Sequence, residues 1–198
     1  MKTDYKYFII HKPFGMLSQF SGEKDQITLT HLHYNFPKDV YPVGRLDADS
    51  EGLLILTNDK KLNQDLLDPA NNHERTYLVQ VEKEISNEAI YALCNGFDIT
   101  IDGRKHRTLP AKVKLLTEAP DVTERNPPVR YRRSVPTSWI ELTLTEGKNR
   151  QVRRMTAMVG FPTLRLIRIA IVNLKLGNLK PGEVKEINGQ ELKKLIRC

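Results

Sequence analysis

The feature that most limits the fold is the unbroken apolar run Leu53-Leu54-Ile55-Leu56. It is far too short to cross a bilayer, and a short apolar run with no helical period reads as a buried strand over 53–57. Such a strand needs neighbours, and the chain supplies them. Tyr7-Phe8-Ile9-Ile10 is a second strand-like run, closed by the Lys12-Pro13-Phe14-Gly15 turn. Over 76–81, Tyr77, Val79 and Val81 share one face while Leu78 and Gln80 take the other. Ile140, Leu142 and Leu144 give another inward face, 164–176 reads as one strand, and 113–116 as a weaker one.

Helices are expected from a cap at Asn58 or Asp59 through Leu67, with Leu62, Leu66 and Leu67 on one side, and from Ser86 through Cys94 with a stop at Asn95-Gly96. A third is expected over 150–159 and a last one from Asn188. Residues 124–136, rich in proline and arginine, read as a basic loop. The sum is a mixed α/β (α+β) fold with a largely antiparallel central sheet flanked by helices. No linker separates independent domains, so 1–198 reads as one domain or two tightly packed subdomains.

Net charge matters once it is located. The chain carries +7, and the segment from Asp121 to Ala170 holds ten basic residues against four acidic ones, leaving +1 for the other 148 residues. Nine of those ten bases are arginine, whose planar fork suits phosphate oxygens and base edges. A solvated surface with no partner would mix the signs and use more lysine, so a nucleic acid is the expected partner. Two cysteines without a C-x-x-C pair offer neither a disulfide framework nor a zinc site. With no signal-peptide pattern at the start, the expectation is a cytoplasmic protein, off the membrane and monomeric.

Two segments depart from what structure alone would ask. Arg150, Arg153 and Arg154 lie at the start of the third helix, where the positive end of the backbone dipole disfavours cations. An anion or a buried carboxylate at that end would resolve the conflict. Conversely, Gly44-Arg45-Leu46-Asp47-Ala48-Asp49-Ser50-Glu51-Gly52 packs three carboxylates between glycines in a chain otherwise suited to attract RNA. A plain acidic turn is one reading; a catalytic carboxylate paired with a cation is another. A metal site on Asp47, Asp49 and Glu51 is a third, but the calcium-loop spacing is missing. His31-x-His33 has no nearby third ligand. No phosphate loop, dinucleotide fingerprint or nucleophile elbow occurs, so no cofactor and no metal are expected.

The motifs Gly44-Arg45-Leu46-Asp47 with Asp49-Ser50-Glu51-Gly52-Leu53-Leu54, Arg75-Thr76-Tyr77-Leu78-Val79, and Glu146-Gly147-Lys148-Asn149-Arg150-Gln151-Val152-Arg153-Arg154-Met155 occur in that order. Together with His11-Lys12-Pro13-Phe14-Gly15 they resemble successive motifs of the ribosomal-RNA pseudouridine synthases. Arg125-Asn126-Pro127-Pro128, Pro136-Thr137-Ser138-Trp139 and the stretch from Gly160 to Arg168 resemble the group acting on the large subunit. Arg150 stands where many relatives have histidine and Ala170 where many have glycine. The small RNA-binding domain that precedes the catalytic one in many relatives is not expected here.

The resemblance implies the pseudouridine synthase fold with an active-site cleft. It also implies cofactor-free isomerisation of a uridine in large-subunit rRNA, free or in an assembly intermediate, with the target base flipped out. It assigns the catalytic role to Asp47, stacking on the uracil to Tyr77, pairing with Asp47 to Arg153, and displacement of the base to Arg45. Lys12, Arg75, Arg130, Arg132, Arg133, Lys148, Arg150, Arg154, Arg165 and Arg168 are the remaining expected RNA contacts. A non-catalytic RNA-binding protein would explain the arginines but not the Asp47 loop. A metal-dependent nuclease would require strand cleavage and inhibition by a chelator.

Overall fold

The computed structural model describes residues 4–130, 132 and 134–197. In chain order the strands are β1 (Tyr7–Lys12), β2 (Tyr41–Pro42), β3 (Glu51–Thr57), β4 (Arg75–Glu82), β5 (Asp98–Ile101), β6 (Arg104–Arg107), β7 (Lys112–Leu116), β8 (Thr137–Leu144), β9 (Thr163–Ile171), β10 (Leu174–Lys175) and β11 (Val184–Glu186). The helices are α1 (Lys60–Leu67), α2 (Asn87–Asn95), α3 (Gln151–Met158) and α4 (Gly189–Ile196). The chain divides into two compact units, one from residues 1–73 and 168–198 and the other from 74–167.

In the first unit the strands run in the order β11-β1-β3-β9. β1 pairs antiparallel with β3 from Tyr7↔Thr57 to Lys12↔Gly52, and with β11 on its other edge. All residues of β1 and β3 are buried, as a strand covered on both faces requires. Phe8, Ile10, Leu54 and Leu56 pack with Met16, Leu29, Leu32 and Val40 from the segment joining β1 to β2. Phe36 sits edge-on to Phe8 and Phe20, an arrangement that suits aromatic quadrupoles.

The last helix is tied to the first strand through Asp59. This buried carboxylate caps α1 by accepting from the backbone N–H groups of Lys61 and Leu62. Its other oxygen accepts from the Tyr7 hydroxyl at 2.7 Å and lies 3.0 Å from the Lys193 ammonium of α4.

In the second unit the order is β9-β4-β8-β7. β4 pairs antiparallel with β8 from Arg75↔Leu144 to Glu82↔Thr137, and β7 pairs antiparallel with β8 on its far side. Val79, Val81, Ile140 and Leu142 meet Ala89 and Leu93 of α2 and Val152 and Met155 of α3 in one core. Ser86 caps α2 through its hydroxyl, as expected from its position.

Three expectations need adjustment. The stretch 164–176 is two strands, because the chain turns back after Ile171 through Val172 in the left-handed region, and β10 pairs with β9. The β5–β6 hairpin was not anticipated, although Asp102-Gly103, both at positive φ, is a strong turn signal. Leu67, expected on the inner side of α1, is 45% exposed, whereas Leu62 and Leu66 are buried. Among the described residues no helix is long and apolar enough to cross a membrane.

Candidate active site

The loop carrying Asp47 is fixed at several backbone groups on both sides of that residue. It approaches β3 through the Tyr41–Pro42 pairing and the bond from Val43 N–H to the Ile55 carbonyl, then turns at Gly44, whose φ is +68°. Arg45 points out and is exposed, with Nη2 3.5 Å from the Gln19 side-chain oxygen. Leu46 is buried, and both of its main-chain groups meet one side chain: its N–H donates to Ser18 Oγ at 3.0 Å, and Ser18 Oγ donates to its carbonyl at 2.8 Å. Asp47 follows, half-buried. The Ala48 carbonyl then accepts from Gly15 N–H at 2.7 Å and lies 3.4 Å from Lys12 Nζ. Ser50 N–H closes the turn onto the Asp47 carbonyl at 3.0 Å. Gly52 has a φ of +105°, and a Cβ there would lie 2.3 Å from the Arg168 carbonyl oxygen, so the loop enters β3 where only glycine fits.

Lys12 needs reassignment. Expected as an RNA contact, it has no exposed surface, and its ammonium donates to the carbonyls of Met16 at 2.6 Å and Pro13 at 2.9 Å as well as reaching that of Ala48. A cation with its donors turned onto main-chain oxygens cannot also meet phosphate. Burial pulls its pKa down to about 8, against the opposing pull of the Glu51, Asp49 and Asp47 carboxylates. Arg168 is likewise buried, its Nε donating to the Leu53 carbonyl at 2.8 Å. Arg165, in the second unit, is buried with Nη2 donating to the Thr123 carbonyl at 2.9 Å. Neither arginine lies on an open surface as an RNA contact would.

The second unit presents Tyr77 and the start of α3. Tyr77 lies on β4 opposite Leu142, half-buried against the core of that unit, and Arg75 is half-buried two residues before it. The segment before α3 is clamped. Glu146 accepts from Leu109 N–H at 2.7 Å and from the Gln151 amide, and its second oxygen is 2.9 Å from His106 Nε2. Buried Gln151 in turn accepts from Lys148 N–H at 3.0 Å. Arg150 is not the first helical residue but the residue before it, left-handed at φ +49° and without a side-chain cap.

Arg154 is half-buried and already engaged within the second unit. Its guanidinium donates to the carbonyls of Thr100 and Asn149 and to the Asn149 side chain, fastening the segment before α3 to the helix and to β5. Arg153 is half-buried, with Nη1 3.4 Å from the Thr163 carbonyl. Lys148, Arg150, Arg130 and Arg132 are exposed, while Arg133 lies outside the described residues. Among the described residues no cluster of three His, Cys, Asp or Glu side chains could hold a metal ion.

Sequence reasoning did not single out Ser18 or Gln151. Gln151 lay inside the Glu146–Met155 motif, but its amide acts on Lys148 N–H, ahead of the helix entry, where no capping pattern marks it. Ser18 carried no signal, because a serine joined to a loop 28 residues away has no periodicity to betray it.

The chain matches the RNA pseudouridylate synthase family model over residues 6–158. It is 48% identical over 175 residues to the ribosomal large subunit pseudouridine synthase E of Xanthomonas campestris, covering 88% of this chain and 91% of that one. It is also 48% identical over 182 residues to the enzyme of the same name from Vibrio parahaemolyticus, covering 92% of this chain and 74% of the relative. A crystal structure of a pseudouridylate synthase superposes with a TM-score of 0.78 at 28% identity, covering 97% of this chain and 74% of that one. Motifs, fold and relatives agree: the chain belongs to the RNA pseudouridylate synthases, isomerases that act on RNA.

Proposed function

We propose that this enzyme converts one uridine of large-subunit ribosomal RNA to pseudouridine in the cytoplasm, with Asp47 as the catalytic carboxylate. The reaction breaks the bond between C1′ of the ribose and N1 of the base, turns the uracil, and joins C1′ to C5. N1 gains a proton and C5 loses one, so atoms and electrons balance without a cofactor. The chemistry calls for a carboxylate that attacks the nucleotide or removes a ribose proton, and for a surface that holds the detached base.

The observation that carries this reading is the presentation of Asp47. It is the half-buried residue between two whose main-chain groups are fixed by buried polar side chains, in a loop that lies within the span matching the family model. A solvated acidic turn has no use for such bracing. The substrate follows from relatives named for the large ribosomal subunit that align with nearly the whole chain. Tyr77 is the residue proposed to stack on the uracil, and Arg153 the cation proposed to act with the carboxylate. Arg45 is proposed to displace the base, with Arg130, Arg132, Lys148 and Arg150 on phosphates. Extracting a base from its stack costs a few kcal/mol, which those phosphate contacts offset.

Asp47→Asn tests the core of this reading. The amide keeps the shape of the side chain but neither attacks nor accepts a proton, so product should vanish while RNA affinity persists. Release of tritium from RNA labelled at uracil C5 follows the reaction directly. Turnover by Asp47→Asn near the wild-type rate would remove Asp47 from the mechanism.

A further inference from the structure

We infer that Ser18 is a positioning residue for Asp47, acting with Lys12 as a two-point brace on the backbone either side of the carboxylate. This inference rests on the proposed role of Asp47.

Ser18 Oγ accepts from Leu46 N–H and donates to the Leu46 carbonyl, so one hydroxyl satisfies both main-chain groups of the residue before Asp47. On the other side, the Ala48 carbonyl receives Gly15 N–H and faces the Lys12 ammonium. All of these anchors lie between Lys12 and Ser18, at the end of β1 and just beyond it, so a single short segment holds both flanks of the loop. Ser18 is 2% exposed and Lys12 is fully buried, so water cannot readily take over either task.

The consequence is geometric. With Leu46 and Ala48 fixed, the Cα of Asp47 has little freedom, and the origin from which its carboxylate extends is set. Without the Ser18 hydroxyl, two buried backbone groups of Leu46 lose their partner, and relaxation of that strain moves the next residue. A reacting group displaced by about 1 Å can lose on the order of a hundredfold in rate, because near-attack geometry is what the bound state supplies. Substrate binding, carried by the exposed arginines, need not change.

Ser18→Ala and Ser18→Cys distinguish this role from mere stabilisation. The thiol nearly preserves shape but is a weak donor and acceptor. Both variants are assayed by C5 tritium release on large-subunit rRNA from cells lacking the enzyme, well below the measured melting temperature of each. The expected result is a kcat lowered tenfold or more in Ser18→Ala and by a smaller factor in Ser18→Cys, with KM and RNA affinity within about threefold of wild type. Lys12→Met should repeat the kcat-selective loss from the opposite flank.

If Ser18→Ala does not fold, Ser18→Cys still decides. Wild-type kcat in a folded Ser18→Cys or Ser18→Ala overturns the inference, as does a loss confined to KM or to melting temperature. Asp47→Ala is run alongside. If it turns over normally, the proposed role of Asp47 has failed. If it is dead while the Ser18 variants are normal, only the brace has failed.

Discussion

At the scale of single residues, the side chains that matter divide into those that face outward and those turned onto the backbone. Arg45, Arg130, Arg132, Lys148 and Arg150 are exposed, whereas Lys12, Arg165 and Arg168 are buried and donate to carbonyls. A sequence displays charge but not direction, so all eight looked alike beforehand. Tyr77 allows a sharper test because its ring and hydroxyl can be removed separately. Tyr77→Phe keeps the half-buried ring against the core of its unit and should retain measurable turnover. Tyr77→Ala should lose at least tenfold more than Tyr77→Phe, since stacking a base on an aromatic face contributes about 1–3 kcal/mol. Single-turnover rates on one RNA compare the two, and equal losses would transfer the role from the ring to the hydroxyl. Asp47 itself was singled out by its motif, and its catalytic role rests on the outcome of Asp47→Asn. Ser18 was not, because nothing local marks a side chain that meets backbone far along the chain.

At the scale of elements, legibility tracked how local the cause was. The caps Asp59, Ser86 and Asn188 were readable because a capping side chain acts within its own first turn. The division of 164–176 into β9 and β10 was not, since a valine at φ +52° is a poor turn residue by preference and is held there by tertiary structure. Asp59 also joins three elements at once, which makes it a stability determinant. Burial alone would raise its pKa, but hydrogen bonds from Tyr7, Lys193 and the backbone hold it below the ordinary 3.8. A carboxyl depressed in the folded state stabilises above its unfolded value, and that stabilisation disappears as pH falls through the lower folded value. Asp59→Asn should therefore lower stability by about 1–3 kcal/mol at neutral pH. It should also flatten the acid limb of the stability curve below pH 4, as denaturant melts across pH would record. An unchanged acid limb would show that other carboxylates dominate there.

At the scale of the whole molecule, charge and chain order set the behaviour. Most of the +7 lies in one segment whose loop exposes Arg130 and Arg132. RNA affinity should fall steeply with salt, and each of Arg130→Ala and Arg132→Ala should reduce the slope of log K against log salt by roughly 0.7–0.9. Filter binding between low and physiological salt measures this, and a wild-type affinity indifferent to salt would contradict a phosphate-tracking loop. Chain order has a separate effect. The unit that carries Asp47 draws on residues 1–73 and again on 168–198, with the other unit, 74–167, falling between. During synthesis the middle portion can condense as soon as it clears the ribosome, whereas the first must wait for Lys193 to reach Asp59. The carboxylate loop has its anchors Lys12, Gly15 and Ser18 on the portion made first, but its entry into β3 stays uncovered until Arg168 follows. A nascent chain stalled before that residue therefore leaves the ribosome with the loop's floor incomplete.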